Sequence, residues 1–276
     1  MKYLKLTFKY TNSKFIYFFL IVLVPAVLMS FLIAPSASID FVCRYFSHDR
    51  SSFRAIYLFL TGTNVKYIYL GVIGLAAMAL SVSVLFGAVY RHMLTGEFDI
   101  SPKRIFTRLN YNYLTAVKLL FLAGAIFELF TLLNAATFYL WAVLFVPKVA
   151  LAFSVISLAG FYVLALLCFS IIILWAPNML HTGYSTGRAL SEAVQIIRGN
   201  NFKIASALGL ASLLPLFFMV IFSVFELKIM GLSLLRVVDS FCYLFLVIYY
   251  IILMYTAFFD LTGTDRADFG RKFKWS

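Results

Sequence analysis

Residues 149–175 read VALAFSVISLAGFYVLALLCFSIIILW, and no Asp, Glu, Lys or Arg occurs from Val149 to Gly187. A bilayer's hydrocarbon core is about 30 Å thick and needs roughly 20 predominantly apolar helical residues to cross it. Inside lipid every backbone N–H and C=O must be satisfied within the protein, which leaves helices and closed barrels. A barrel strand would alternate apolar and polar residues over roughly ten positions. This stretch is apolar at almost every position and runs far longer, so it reads as a membrane-spanning helix.

The same signature recurs outward from it. Charge-free runs extend from Phe15 to Ile39, Tyr67 to Tyr90, Ile204 to Phe225 and Ser240 to Phe259. Hydrophobic residues make up 63% of the 276 and charged ones 12%, roughly half the charged share of a soluble domain. The chain is therefore expected to be a single all-α, polytopic transmembrane helical bundle of about six spans, at about 14–34, 67–90, 112–134, 149–175, 202–225 and 237–259.

Local signals refine this layout. The apolar core after Lys2, Lys5, Lys9 and Lys14 runs from Phe15 to Ala34, longer than a signal peptide's core of roughly 7–15 residues, so it reads as an uncleaved first span. Pro25 falls near its middle, where a kink is expected. Ser36 to Lys66 carries aromatic residues among Arg44, Arg50 and Arg54, the pattern of a segment lying on the membrane surface. Ser101 followed by Pro102 is a good helix start. Tyr113 to Val146 is too long for one upright span and too short for two, so a break is expected near Asn134 to Thr137. Pro177 should stop the fourth span, and Thr186 to Arg198 should form a short amphipathic helix with Leu190, Val194 and Ile197 on one side and Gly199 at its end.

Orientation follows from the unequal spread of basic residues. With the N-terminus inside, Lys2, Lys5, Lys9, Lys14, Arg91, Lys103, Arg104, Arg108, Arg188, Arg198, Lys203 and the basic residues of the C-terminal tail share the inner side. Only Arg44, Arg50, Arg54, Lys66, Lys148, Lys228 and Arg236 fall outside. Both termini are thus expected to be cytoplasmic, in the cell membrane, with the inner basic residues holding anionic lipid headgroups. The net charge of +12 is explained by this topology, and its dispersal over several loops argues against a nucleic-acid partner.

Few residues carry chemistry. Glu128 is the one carboxylate deep in an expected span, ten residues beyond Lys118 on the same helix. An ionisable group at that depth marks either a transport or proton-relay path or an interhelical bond. Glu226, Arg236 and Asp239 suggest an interfacial ion-pair group of little energetic weight. Cys43, Cys168 and Cys242 lack metal or redox spacing, as do His48, His92 and His181, so neither a metal nor a cofactor is expected. The GxSxG, GxxxxGK[ST] and HExxH patterns are all missing, which disfavours an enzyme. A lipid-modifying activity would need a polar inner site, for which His92, Glu97 and Asp99 are the candidates.

Residues 175–203, WAPNMLHTGYSTGRALSEAVQIIRGNNFK, resemble a recurring feature of bacterial multipass membrane domains, some fused to glycerophosphodiester phosphodiesterases and some standing alone. In that group a proline ends a span, a surface helix opening with Ala-Leu follows, and a polar break precedes the next span. Pro177, Ala189, Leu190, Ala193, Gly199 and Asn200 occupy those places here. The resemblance implies a stand-alone membrane domain without phosphodiesterase activity and brings no catalytic residues. The role it suggests is a non-catalytic transport-related or scaffolding component. A second comparison is with permease subunits of ABC transporters, in which a short cytoplasmic helix docks on an ATPase. Arg188, Glu192 and Arg198 would then face the partner, although the glycine falls one residue later than the importer pattern places it.

Overall fold

The computed structural model describes residues 2–31, 53, 57, 68–98, 109–223, 228–229 and 232–268. Most of the expected surface segment between Ser36 and Lys66, the Ser101–Pro102 helix start, Cys43, His48, Asp99 and Glu226 lie outside them. The described chain is an all-α bundle. Its helices are α1 (Lys2–Ser13), α2 (Phe15–Met29), α3 (Ile68–Thr95), α4 (Leu109–Leu144), α5 (Pro147–Ile172), α6 (Trp175–Thr182), α7 (Thr186–Ile197), α8 (Asn201–Ser223) and α9 (Leu234–Thr262). A two-residue antiparallel hairpin, β1 (Lys228–Ile229) with β2 (Leu232–Ser233), joins α8 to α9.

Among the described residues, α3, α4, α9 and the α5–α6 run are long and apolar enough to cross a membrane, and the bent pair α1–α2 makes a fifth if taken as one span. The 23-residue α8 lies over the remaining apolar segment. The protein is thus a membrane protein by the length and composition of its helices.

α9 is the central post, packed on α1, α2, α3 and α8. From Ile251 to Phe259 all of its residues are buried, with Tyr255, Phe258 and Phe259 meeting Phe86 and Val89 of α3 in one apolar core. Half of the most apolar stretch of α3 and of α9 is covered by protein, but only 17% of that of α4 and α5. The α4–α5 hairpin is therefore the part of the bundle least covered by protein.

Three local features depart from the sequence reading. The first helix bends by 82° at Lys14, not at Pro25. Residues 2–13 form the separate amphipathic helix α1, which buries Tyr3, Thr7, Tyr10 and Thr11 and exposes Lys5 and Lys9, so the chain turns where polar sequence becomes apolar. Pro25 sits within continuous helix. Its missing N–H leaves the Ile21 carbonyl without its usual i+4 donor, and the Ser81 hydroxyl of α3 donates to that carbonyl at 3.4 Å.

Second, the break expected near Asn134 to Thr137 does not occur, and α4 is continuous for 36 residues. The polar residues there bond their own helix: Asn134 Nδ2 donates to the Phe130 carbonyl at 3.0 Å, and Thr137 Oγ1 to the Asn134 carbonyl at 2.9 Å, while Asn134 Oδ1 is buried without a hydrogen-bond partner among the described residues. Third, the interruption attributed to Pro177 falls upstream of it, at Ile173 and Leu174, with Pro177 inside α6. A proline removes the bond to residue i−4, here Ile173, so the disturbance appears one turn earlier.

Candidate functional site

The polar chemistry of the bundle gathers at the end that holds α1, the C-terminal ends of α3 and α9, the start of α4, and the α6–α7 elbow. The elbow is held by specific bonds. Gly183 ends α6 in the left-handed conformation (φ 71°), and its N–H reaches the Met179 carbonyl at 3.0 Å. The buried Asn178 of α6 donates to the Ala189 carbonyl at 3.1 Å and to Glu192 Oε2 at 3.2 Å, and Trp175 Nε1 donates to the Thr186 carbonyl at 3.0 Å. Ala189, Ala193 and Ile197 form the seated face of α7 and are fully buried or nearly so. Val194, expected on that face, is 47% exposed. The small alanines let α7 lie close to its neighbours, which turns the helix away from the orientation that the larger residues alone suggest.

Beside the elbow lie two cavities. One, about 240 Å³, lies between α3, α4, α6 and α9 and is lined by Phe86, Tyr90, Arg91, Leu94, Asn112, Leu180 and Tyr255. The other, about 400 Å³, is lined by Leu114, Thr115, Lys118, Tyr184, Ser185 and Thr186. Tyr111 belongs to both and is pinned by its hydroxyl to the Met179 carbonyl at 2.9 Å. Tyr90 Oη and His181 Nδ1 share a hydrogen bond of 2.9 Å nearby.

The structure separates the residues singled out in the sequence into three places. Lys118 Nζ donates to Thr186 Oγ1 at 3.2 Å in the larger cavity. Glu128 lies ten residues further along α4, about 15 Å by helical rise, and does not meet it. The Tyr57 hydroxyl donates to Glu128 Oε2 at 2.6 Å, a bond that raises the phenol's pKa more than burial does. On α7, Arg188 Nε lies 3.6 Å from Glu192 Oε1, and its guanidinium stacks 4.1 Å above the Tyr184 ring, while Arg198 is exposed. Glu192 thus faces inward to Asn178, while the two arginines face out.

Asp239 takes no part in the expected interfacial ion-pair group among the described residues, with Glu226 lying outside them. It is 3% exposed, and neither carboxylate oxygen has a hydrogen-bond partner among the described residues. Other contacts at the basic end had no signal in the sequence. Lys2 Nζ and the Tyr3 hydroxyl both reach Asp260, at 2.7 and 2.8 Å, and Tyr10 Oη shares a 2.8 Å bond with His92 Nδ1. After α9 the Ala267 N–H bonds the Met93 carbonyl at 2.9 Å, and Arg266 grips Asp268 through two bonds of 3.0 and 2.7 Å. Only the tyrosines at i and i+7 in α1 could have hinted at a buried face. Among the described residues no three His, Cys, Asp or Glu side chains converge on a possible metal position.

No family model, curated protein or solved structure matches the chain.

Proposed function

We propose that this chain is a non-catalytic, transport-related or scaffolding component of the cell membrane, with both termini cytoplasmic and α7 as the surface on which another component docks. The observation that supports this reading is the seating of α7. A helix that only connected two spans would not need the fully buried Ala189 and Ala193, nor Asn178 and Trp175 bonded to its backbone. With that face fixed, Arg188, Ser191, Gln195 and Arg198 are held outward as a preformed polar patch. A rigid surface loses little conformational freedom when a partner binds. The resemblance of residues 175–203 to bacterial stand-alone membrane domains agrees with such a role and forms part of the proposal.

The test is gentle extraction of a tagged full-length copy, followed by mass spectrometry of what accompanies it. A stoichiometric protein is expected with the wild type and should be lost from Arg188→Glu/Arg198→Glu while the bundle still purifies. A chain that emerges without a protein partner, or a partner indifferent to the charge reversal, overturns the reading. The second reading is an ABC-type permease subunit, favoured by the position of α7 between α6 and α8. It requires that partner to be an ATPase.

A further inference from the structure

We infer that the cavity between α3, α4, α6 and α9 is a binding site for a small uncharged aromatic carbonyl compound, its ring packed among Phe86 and the tyrosines and its carbonyl oxygen on the Tyr255 hydroxyl. Phe86 and Tyr255 line the cavity and are buried, so they close its floor, while Leu94 and Tyr111, 40% and 38% exposed, mark its mouth. The rings of the lining already meet in arrangements that aromatic quadrupoles favour. Phe86 and Tyr255 stand edge to face with centroids 6.3 Å apart, and the Tyr90 ring lies 5.8 Å from that of Tyr255. A planar ring entering from the mouth continues that packing.

The Tyr255 hydroxyl sets the chemistry. It is buried and has no hydrogen-bond partner among the described residues. The other two phenols of the lining are engaged, Tyr111 with the Met179 carbonyl at 2.9 Å and Tyr90 with His181 Nδ1 at 2.9 Å. Nearly all buried polar groups in folded proteins are paired, and an unpaired donor is costly. An acceptor at the floor removes that cost. The cavity, about 240 Å³, has the volume of about eight waters at roughly 30 Å³ each. Each buried water needs two to four polar partners, and walls of Phe86, Leu94, Leu180 and tyrosine rings offer few. An alkyl chain suits those walls but leaves the hydroxyl unpaired. A carboxylate at the floor would meet one neutral donor for a full charge, and Arg91 in the lining repels a cation. A ring bearing a carbonyl meets both demands. The Asn112 carboxamide, which lies 3.2 Å from where a Cβ on Gly87 would stand, offers a second polar contact.

The site is independent of whether a protein docks on α7. The test titrates the full chain in detergent with naphthoquinone, which carries two ring carbonyls, and with naphthalene, which carries none, the heats being corrected for partition into empty micelles. Wild type should bind the quinone saturably. Tyr255→Phe deletes one oxygen and should weaken the quinone roughly fivefold, the worth of one net hydrogen bond, with naphthalene unchanged. Tyr249→Phe removes another buried, unpartnered hydroxyl of α9 that is not part of the lining, and should weaken neither probe. No saturable binding of the quinone, or quinone binding indifferent to Tyr255→Phe, would overturn the site. Equal weakening of both probes would overturn the hydrogen bond. Tighter binding of naphthoate than of the quinone would overturn the uncharged ligand and give the cavity to an anion. Should Tyr255→Phe not fold, a diazirine-bearing naphthoquinone on the wild type decides. Labels on residues 86–94, 111–112, 180 and 255 support the cavity, and labels elsewhere overturn it.

Discussion

At the scale of single residues, Asn178 has the greatest influence on the proposed docking surface. Its one amide group donates to the Ala189 carbonyl and to Glu192 from a fully buried position. Asn178→Ala removes both bonds; the Ala189 carbonyl stays in α7's own helical ladder and Glu192 is partly exposed, so the loss is the net worth of the hydrogen bonds, roughly 0.5–1.5 kcal/mol each. The variant is expected to melt earlier in detergent and to lose a bound partner together with α7's orientation, even with Arg188 and Arg198 intact. An unchanged melting curve would show that α7 is held by its alanines alone. The sequence placed Asn178 just past the expected end of a span, but did not show its direction. Asp239 shows the same limit. Its grouping with Glu226 and Arg236 suggested an interfacial ion pair, and only the packing around α9 shows the carboxyl to be enclosed.

At the scale of elements, hydropathy made the spans legible because lipid imposes one rule on every residue that faces it. What it could not show was how polar groups inside those spans are satisfied. Asn134 looked like the end of a helix and proves to bond its own turn. Pro25 looked like a kink and proves to be a site where a neighbouring helix supplies a donor. That contact makes a prediction about α2 and α3. Interhelical bonds of this kind average about 0.6 kcal/mol. Ser81→Ala should cost about that much in the native chain and almost nothing when Pro25→Ala has restored the helix's own N–H. A double-mutant cycle on unfolding in detergent measures the coupling, and additivity of the two changes would remove the Ser81 bond from the account. The amphipathic helix α1 escaped notice because its lysines read as the flank of a span, whereas its tyrosines carry the packing.

At the scale of the whole molecule, the uneven cover of the helices matters most. α4 has 36 residues, about 54 Å of helix, against a hydrocarbon core of about 30 Å. Its far end must leave the membrane or lean strongly within it, and Trp141, Phe145 and Phe153 cluster there as an aromatic group suited to the interface. On the proposed orientation, and with the native cysteines replaced by serine, Leu144→Cys should react with an impermeant maleimide added to intact cells, and Leu122→Cys should not. Labelling of position 144 only after permeabilisation would reverse the orientation, and no labelling at all would place that end in lipid.

The contacts of α1 with Asp260 join positions 258 and 257 residues apart, and they set a timetable for biogenesis. A translocon releases spans in chain order, so the first to enter must wait, with its seat missing, until the last has been made. During that interval the opening helices are clients of whatever shields unfinished membrane proteins. Quality control that tests whether α1 is still loose would, in this chain, be testing whether synthesis had reached α9.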